Sequence, residues 1–474
     1  FCPSPYPYLS VKMNFLQVKA ELDKPADASD VQDLDLARNE IRRLRALINS
    51  HCIPKRVAIC GGGNAAHVLG GLLSSNTLVS SVNFLNTWEP EFERFKNILE
   101  ENDYNFAVEF EHGMPTRHGK INKISMNPAD VIPGIDWIII STPAFTHELY
   151  LNAIKDHIKE GALVTILVAQ GGSDWCLRAC LGPELCANIN FCTCETLPWA
   201  CRVSEFGKSG RVLATKGSVQ VAALPHGALS YACTTMNALL TVDQIVPGSD
   251  EAASGKKKIH PYFEPMASPL VATLMNLNAL VHPPLMYGRF CDWTETTKWE
   301  EPPELYLGVE ERGASAITGC SDDLLAVRNA LLAQRPELDL SAVVSLYDAF
   351  LAIYGDSVGD PTNIMTCLRT NPGYAGLKIP MKELPAEEGG GFVPNFNMRY
   401  YTEDIPYGLV VLKGVAEIVG VVTPTVDRLI SWCQEKMGKE YLDAGGRLAG
   451  KDLGETRAPQ NYGLATVEDL VRWP

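Results

Sequence analysis

Over the first half of the chain, short apolar runs alternate with longer stretches of helical period. Val57–Cys60 and Trp137–Ile140 are apolar throughout and Val82–Leu85 nearly so, as expected of strands in a sheet buried on both faces. The first run passes through Gly61, Gly62 and Gly63 into a helical pattern, and the third ends in Ser141-Thr142-Pro143 before another. Such alternation predicts an α/β fold with a Rossmann-type doubly wound parallel sheet. From Ser268 the texture changes. SPLVATLMNLNALVHPP opens with an N-cap serine and a proline at the first helical position, and GLVVLKGVAEIVGVV and VDRLISWCQEKMG keep helical spacing, so a mostly α-helical second domain is expected. The helix that starts at Ser268 is expected to end at His282, because Pro283 disfavours helical geometry in the residue before it. The domain boundaries that follow are an N-terminal extension over 1–51, a sheet domain over 52–265, interrupted by the exposed loop PGSDEAASGKKK, and a helical domain over 266–474. Within the extension, FCPSPYPYL is proline-rich, whereas Leu34, Ile41, Leu44 and Ile48 lie near one face of a single amphipathic helix. That helix, over residues 30–49, is expected to pack on its own domain, on a second copy or on another protein.

Composition narrows the function. A chain of 474 residues is too long for one core, and two domains of roughly 200 residues are the natural expectation. The formal net charge of -15 argues against nucleic acid or an anionic membrane as partner, since those surfaces require clustered Lys and Arg. Fourteen cysteines without a metal-type CxxC pair point to no metal and to a reduced, cytoplasmic setting. No apolar stretch reaches membrane-spanning length.

The spacing Gly61-x-Gly63-x-x-Ala66 is the dinucleotide fingerprint with Ala in its third place. The first glycine makes the tight turn, the second admits a pyrophosphate, and Ala66 lets helix and strand approach closely. Gly61, Gly63, Asn64 and Ala66 are therefore the candidate cofactor-binding residues, with a plain turn as the competing reading. Four further stretches carry candidate substrate chemistry. In LVAQGG, Gln170 follows an apolar strand where the carboxyl end of the sheet is expected. CETLPWACR crowds Glu195, Thr196, Trp199 and Arg202 into an apolar region, and NALVHPP presents His282. NMRYYTEDIPYG holds Arg399 and Asp404 around a tyrosine pair, where a surface ion pair is the simpler expectation.

Taken together, CGGGN, TPAFTHE, CETLPWACR, VHP, NMRYYTEDIPYGLVVLKG, EKMGKEYL and TRAPQNYG resemble the octopine dehydrogenase family of opine dehydrogenases, in the same order from Lys55 onward. Residues 1–51 lie outside the resemblance. It implies an N-terminal Rossmann domain for a nicotinamide cofactor, and a helical domain that closes over the substrates. The implied reaction is reductive condensation of an α-keto acid, usually pyruvate, with the amino group of an amino acid. By the same resemblance His282 is the catalytic histidine, with Arg399 and Asp404 as its partners. Gln170 and Thr196 surround the keto acid, and Glu195 is the candidate for the amino-acid ammonium. Histidine suits the expulsion of the keto oxygen as water, because its unperturbed pKa lies near neutrality. Two positions depart from the family pattern. Ala349, in SLYDAFLAIYG, stands where the arginine-using member carries a bulky aromatic, which implies a reshaped amino-acid pocket. The second strand ends at Asn86-Thr87-Trp88 with no Asp, Glu89 being the nearest acid, and no Lys or Arg follows directly. This favours NAD while leaving NADP open. The residues alone also admit another Rossmann-fold reductase of a hydroxy or keto acid, or a non-enzymatic scaffold.

Overall fold

The apolar runs become the interior of one eight-stranded sheet in this computed structural model, which describes residues 53–474 other than 112, 113, 169 and 245–257. The proline-rich start and the helix expected over 30–49 lie outside the described residues. In chain order the strands are β1 (Arg56–Cys60), β2 (Ser81–Leu85), β3 (Lys123–Ser125), β4 (Trp137–Ile140), β5 (Leu163–Ile166), β6 (Asn190–Cys194), β7 (Ser218–Leu224) and β8 (Tyr262–Pro265). Across the sheet they run β8-β7-β6-β5-β4-β1-β2-β3. Every pairing is parallel except β7 with β6. All four residues of β4 and of β5 are buried, which explains the unbroken apolar run of β4; the one polar residue of β5, Thr165, accepts the Trp137 Nε1–H at 2.7 Å. The order turns around at β1, whose neighbours are β2 and β4, and this opens a crevice at the carboxyl ends of the strands, where ligands of such sheets bind.

A second sheet was not legible in the apolar pattern. Asn105–Phe110, Arg117–Lys120, Trp199–Glu205 and Ser209–Thr215 form four strands that cover the helix Asn64–Ser74. Glycines make that packing possible. A Cβ on Gly71 would meet the Ala107 carbonyl oxygen at 2.5 Å, and one on Gly210 the Val68 nitrogen at 2.6 Å. Between helix and sheet His67 is fully buried, its ring centroid 5.0 Å from that of Phe95, 5.2 Å from Phe206 and 5.5 Å from Phe106. The Gly207 N–H donates to its Nε2 at 2.9 Å, so Nδ1 bears the hydrogen, 3.0 Å from the Gly63 carbonyl. Burial pushes this imidazole down to about 4, against the pull of the Gly63 carbonyl.

The helical half is built on Leu277–Phe290, Glu311–Gln334, Val410–Val419 and Pro424–Met437. Gly288 and Gly313 let the first two approach closely, since a Cβ on Gly288 would lie 2.5 Å from the Gly313 Cα. The Asp323 carboxylate accepts the N–H groups of Thr425 and Val426, both at 2.9 Å, and so stabilises the start of the helix Pro424–Met437. One expectation is corrected here. The helix that begins after Ser268 stops at Leu274, and a second, Leu277–Phe290, runs straight through Pro283 and Pro284. His282 therefore lies mid-helix. The two prolines remove the N–H groups that would meet the Ala279 and Leu280 carbonyls. The helix survives because Val281, Leu285 and Met286 sit in the main helical core, and because Asn276 accepts the Ala279 N–H as its cap.

Candidate active site

At the carboxyl end of β1 the chain turns at Gly61, whose φ of +110° suits only glycine and whose Cβ would meet Thr142 Cγ2 at 2.6 Å. Gly63 is the N-cap of Asn64–Ser74, with no side chain capping the helix and nothing within 4 Å of where its Cβ would be. The first N–H groups of the helix are thus left for an anion in open space, an arrangement that fits a dinucleotide diphosphate. Ala66 is buried at the helix–sheet contact. Asn64 is turned aside, its Oδ1 accepting the Val203 N–H at 2.8 Å. The acid beside the loop is Glu91 rather than Glu89. Its carboxylate takes a hydrogen bond from Asn86 Nδ2 at 2.7 Å and lies against Gly62. Helical phase decides this, because Glu91 lies two residues further along the helix Glu89–Glu101.

Past the end of β5, Gln170 is buried and holds a φ of +35°, a strained position for a residue with a side chain. Its Oε1 accepts from Asn276 Nδ2 at 2.8 Å. The Gln170 amide is thereby oriented with Nε2 turned away from Asn276, and that amide nitrogen has no partner among the described residues. Glu195 and Thr196 follow β6, both half-buried. One Glu195 oxygen accepts the Gln220 N–H at 3.1 Å. Burial pushes the Glu195 carboxyl up, while the Gln220 N–H and the Lys216 charge draw it back.

His282 stands at the centre of the helical side. Its Nδ1 lies 2.8 Å from Asp404 Oδ2 and its Nε2 3.0 Å from the Tyr306 hydroxyl, and its ring stacks on Tyr400 at 3.9 Å between centroids. Asp404 is 4% exposed and immediately precedes a π-helical turn, Ile405–Leu409, that packs on the His282 helix where Gly408 meets Ala279. Because the carboxylate can only accept, Nδ1 carries a hydrogen and Nε2 is the nitrogen through which a proton can be exchanged. Arg399 is not brought to His282. It pairs with Glu403, and its side chain is 69% exposed.

Two further charged residues shape the site, and sequence reasoning missed both. Glu403 is buried and accepts the Ala144 N–H at 3.1 Å, tying Arg399 to the loop after β4. Arg457, from the TRAPQNYG stretch, is 1% exposed and donates to the Ala144 carbonyl at 2.9 Å and, at 3.5 Å, to the Gly171 carbonyl. It also donates to His147 Nδ1 at 3.1 Å, and His147 Nε2 then donates to the Thr142 carbonyl at 3.0 Å. A single guanidinium thus holds the loops after β4 and β5. Burial and the Arg457 charge push His147 down to about 3. Tyr306 and Asn276 were also missed. Arg457, Glu403 and Asn276 lie in the quoted stretches TRAPQNYG, NMRYYTEDIPYG and SPLVATLMNLNALVHPP, which do not say which residues meet, and Tyr306 lies in none of them. A cavity of about 450 Å³ opens between Phe145, Tyr407 and Arg457 and is lined by none of the candidate catalytic residues. Among the described residues, no cluster of His, Cys, Asp or Glu is arranged to hold a metal, and no helix is long and apolar enough to cross a membrane.

Known proteins resemble this chain. The family model for the NAD/NADP octopine/nopaline dehydrogenase alpha-helical domain matches residues 265–437. An opine dehydrogenase of Haliotis discus hannai is 39% identical over 88% of this chain and 98% of its own length. A tauropine dehydrogenase of Arabella iricolor is 36% identical over 88% and 99%. Octopine dehydrogenase solved with NADH and L-arginine superposes with a TM-score of 0.77 at 33% identity, covering 88% of this chain and 97% of that one. The same enzyme with NADH and pyruvate gives 0.74 at 33% identity over 87% and 96%. By this similarity over 88% of its length, the chain belongs to the octopine dehydrogenase family of opine dehydrogenases.

Proposed function

We propose that the protein is an NADH-dependent opine dehydrogenase, which condenses pyruvate with an amino acid and reduces the imine to an N-(carboxyalkyl) amino acid. The observation that carries this reading is the exchange nitrogen of His282. Its Nδ1 is held by buried Asp404, which leaves Nε2 as the proton-exchanging group, on a helix whose cap residue Asn276 bonds Gln170. His282 is assigned as the proton donor that helps the keto oxygen leave as water, and Asp404 as the group that orients its ring. Gln170 Nε2 donates to the keto acid, with Thr196 beside it. Glu195 receives the ammonium, whose charge favours the ionised carboxylate over the form that burial prefers. Arg399, fixed at one end by Glu403, offers its exposed face to a substrate carboxylate. The loop Gly61–Gly63 with Ala66 and the open helix N-terminus would hold the dinucleotide diphosphate, with Asn64 positioning the helix start. When bound there, NADH supplies the hydride that reduces the imine carbon. Glu91, a carboxylate against the glycine loop, favours NADH over NADPH.

On this reading residues 52–265 form the nucleotide domain and 266–474 the substrate domain, with residues 30–49 as the segment open to a protein partner or self-association. We place the enzyme in the cytoplasm, where thiols stay reduced; all twelve cysteines among the described residues are unpaired. The test is NADH oxidation with pyruvate and single amino acids, glycine, alanine, taurine and arginine among them. Oxidation that needs both substrates is expected, with small amino acids or taurine faster than arginine because Ala349 is small. Oxidation that needs pyruvate alone would instead mark a hydroxy-acid dehydrogenase.

A further inference from the structure

The assignment of His282 as acid leaves one contact unused. Asp404 takes Nδ1 and Tyr400 covers a ring face, so the remaining route out of the imidazole runs through Nε2, and the Tyr306 hydroxyl stands on it at 3.0 Å. Tyr306 is not a swinging side chain. Its ring stacks on buried Tyr374 at 4.1 Å between centroids, and Tyr354 closes against the edge of Tyr374 at 5.4 Å. A substrate oxygen approaching Nε2 must displace this hydroxyl from a packed tyrosine stack or use it.

Resting on the function proposed above, we infer that Tyr306 is a catalytic residue that relays the His282 proton to the substrate. Amine and keto acid first form a carbinolamine. Its C–O bond breaks as the Tyr306 hydroxyl gives its proton to the departing oxygen, and the Nε2 proton of protonated His282 replaces the one that Tyr306 has given up. Water leaves, the nitrogen lone pair forms the C=N bond, and His282 is left neutral, with the hydrogen on Nδ1 still donated to Asp404. A phenol suits the task because it donates and accepts through one oxygen. Burial pushes the Tyr306 hydroxyl well above the usual phenol range, with Tyr400, Tyr354 and Asp404 adding to the shift, so it stays protonated across working pH. These groups and Tyr374 are the titratable neighbours facing the His282–Tyr306 pair.

Tyr306→Phe keeps the stacked ring and removes only the oxygen. Single-turnover NADH oxidation by the full-length enzyme with pyruvate and its best amino acid is expected to slow about 10- to 100-fold, part of the span of general acid catalysis. NADH affinity, pyruvate KM and melting temperature should stay within twofold or a few degrees. The solvent proton inventory should bow in the wild type, with two protons moving together, and become linear in Tyr306→Phe. A linear inventory in the wild type would overturn the relay without recourse to any variant. So would unchanged turnover in Tyr306→Phe, or a loss of turnover matched by lost folding. If His282→Gln is slow while Tyr306→Phe is unimpaired, the relay fails and the opine dehydrogenase reading stands. If the wild type oxidises no NADH with any keto acid and amino acid pair, both fail.

Discussion

At His282 two roles separate by experiment. Replacing it with Gln keeps size and some hydrogen bonding but removes acid–base function, so turnover is expected to fall by about two to four orders of magnitude while NADH affinity barely changes. A lower melting temperature with normal turnover per folded molecule would reduce the residue to a structural one. Asp404→Asn should cost less, because the imidazole remains but its Nδ1 loses a charged acceptor 2.8 Å away. The order of the two losses in a kcat series checks this. Why His282 was found and Tyr306 was not is a matter of distance along the chain. His282 announces itself by chemistry and by the odd VHPP context. Tyr306, 24 residues on, and Asn276, whose partner Gln170 lies 106 residues before it, acquire meaning only from whom they meet.

Among the elements, the glycine loop and the helix Asn64–Ser74 behave as one device. A Cβ at Gly63 would project into open space, so Gly63→Val should fold normally and bind no NADH, since the side chain takes the place of a phosphate oxygen. Calorimetry with NADH and a thermal melt of the same sample check both halves of that statement. The underside of the same helix is pH-sensitive. His67 is neutral with both ring nitrogens committed, and its folded pKa is about 4 against an ordinary 6.5; for His147, bonded to Arg457, the folded value is about 3. Below pH 6.5 the unfolded chain binds protons that the folded chain refuses. The stabilising contribution is therefore complete above pH 6.5 and is lost as pH falls toward 4 for His67 and toward 3 for His147. Each ring contributes about 1.4 kcal/mol per pH unit within its window. Melting temperatures are expected to drop from pH 6.5 to pH 5, with a shallower slope in His67→Phe; a flat profile in the wild type would contradict the burial argument.

For the molecule as a whole, many bonds cross between the sheet and the helical half, Gly172 to Thr273 and Trp175 to Leu470 among them, and Arg457 bonds the loops after both β4 and β5. Its guanidinium reaches the Ala144 and Gly171 carbonyls and His147, and stacks over Tyr407 at 5.1 Å. A lysine keeps the charge but cannot bond in several directions of one plane. Arg457→Lys should therefore weaken NADH binding and raise the pyruvate KM together, because the loops after β4 and β5 lose a common anchor. A change in only one of these constants, measured by titration and steady-state kinetics, would show that the loops are held independently.

Local physics carried the reading a long way. Apolar runs marked β1, β2 and β4 because a parallel sheet buried on both faces admits few polar residues; Asn83 in β2 is buried and donates to the Val131 carbonyl. Gly61 and Gly63 marked the turn: the φ of +110° at Gly61 suits only glycine, and Gly63 leaves open space at the helix start. The four-stranded sheet over Asn64–Ser74 was invisible, since its strands come from two distant stretches and one, Arg117–Lys120, has no buried residue. The run of Leu277–Phe290 through two prolines defied its local rule, because core burial on several sides outweighed the lost backbone bonds. Arg399 was expected beside Asp404, yet pairs with Glu403, because helical spacing brings together residues four apart rather than five. Residue types and their periodicity are local properties, so the chain itself declares strands, turns and chemical candidates. Which candidates share a hydrogen bond depends on the packing of segments tens to hundreds of residues apart, and that is decided only when the cores close.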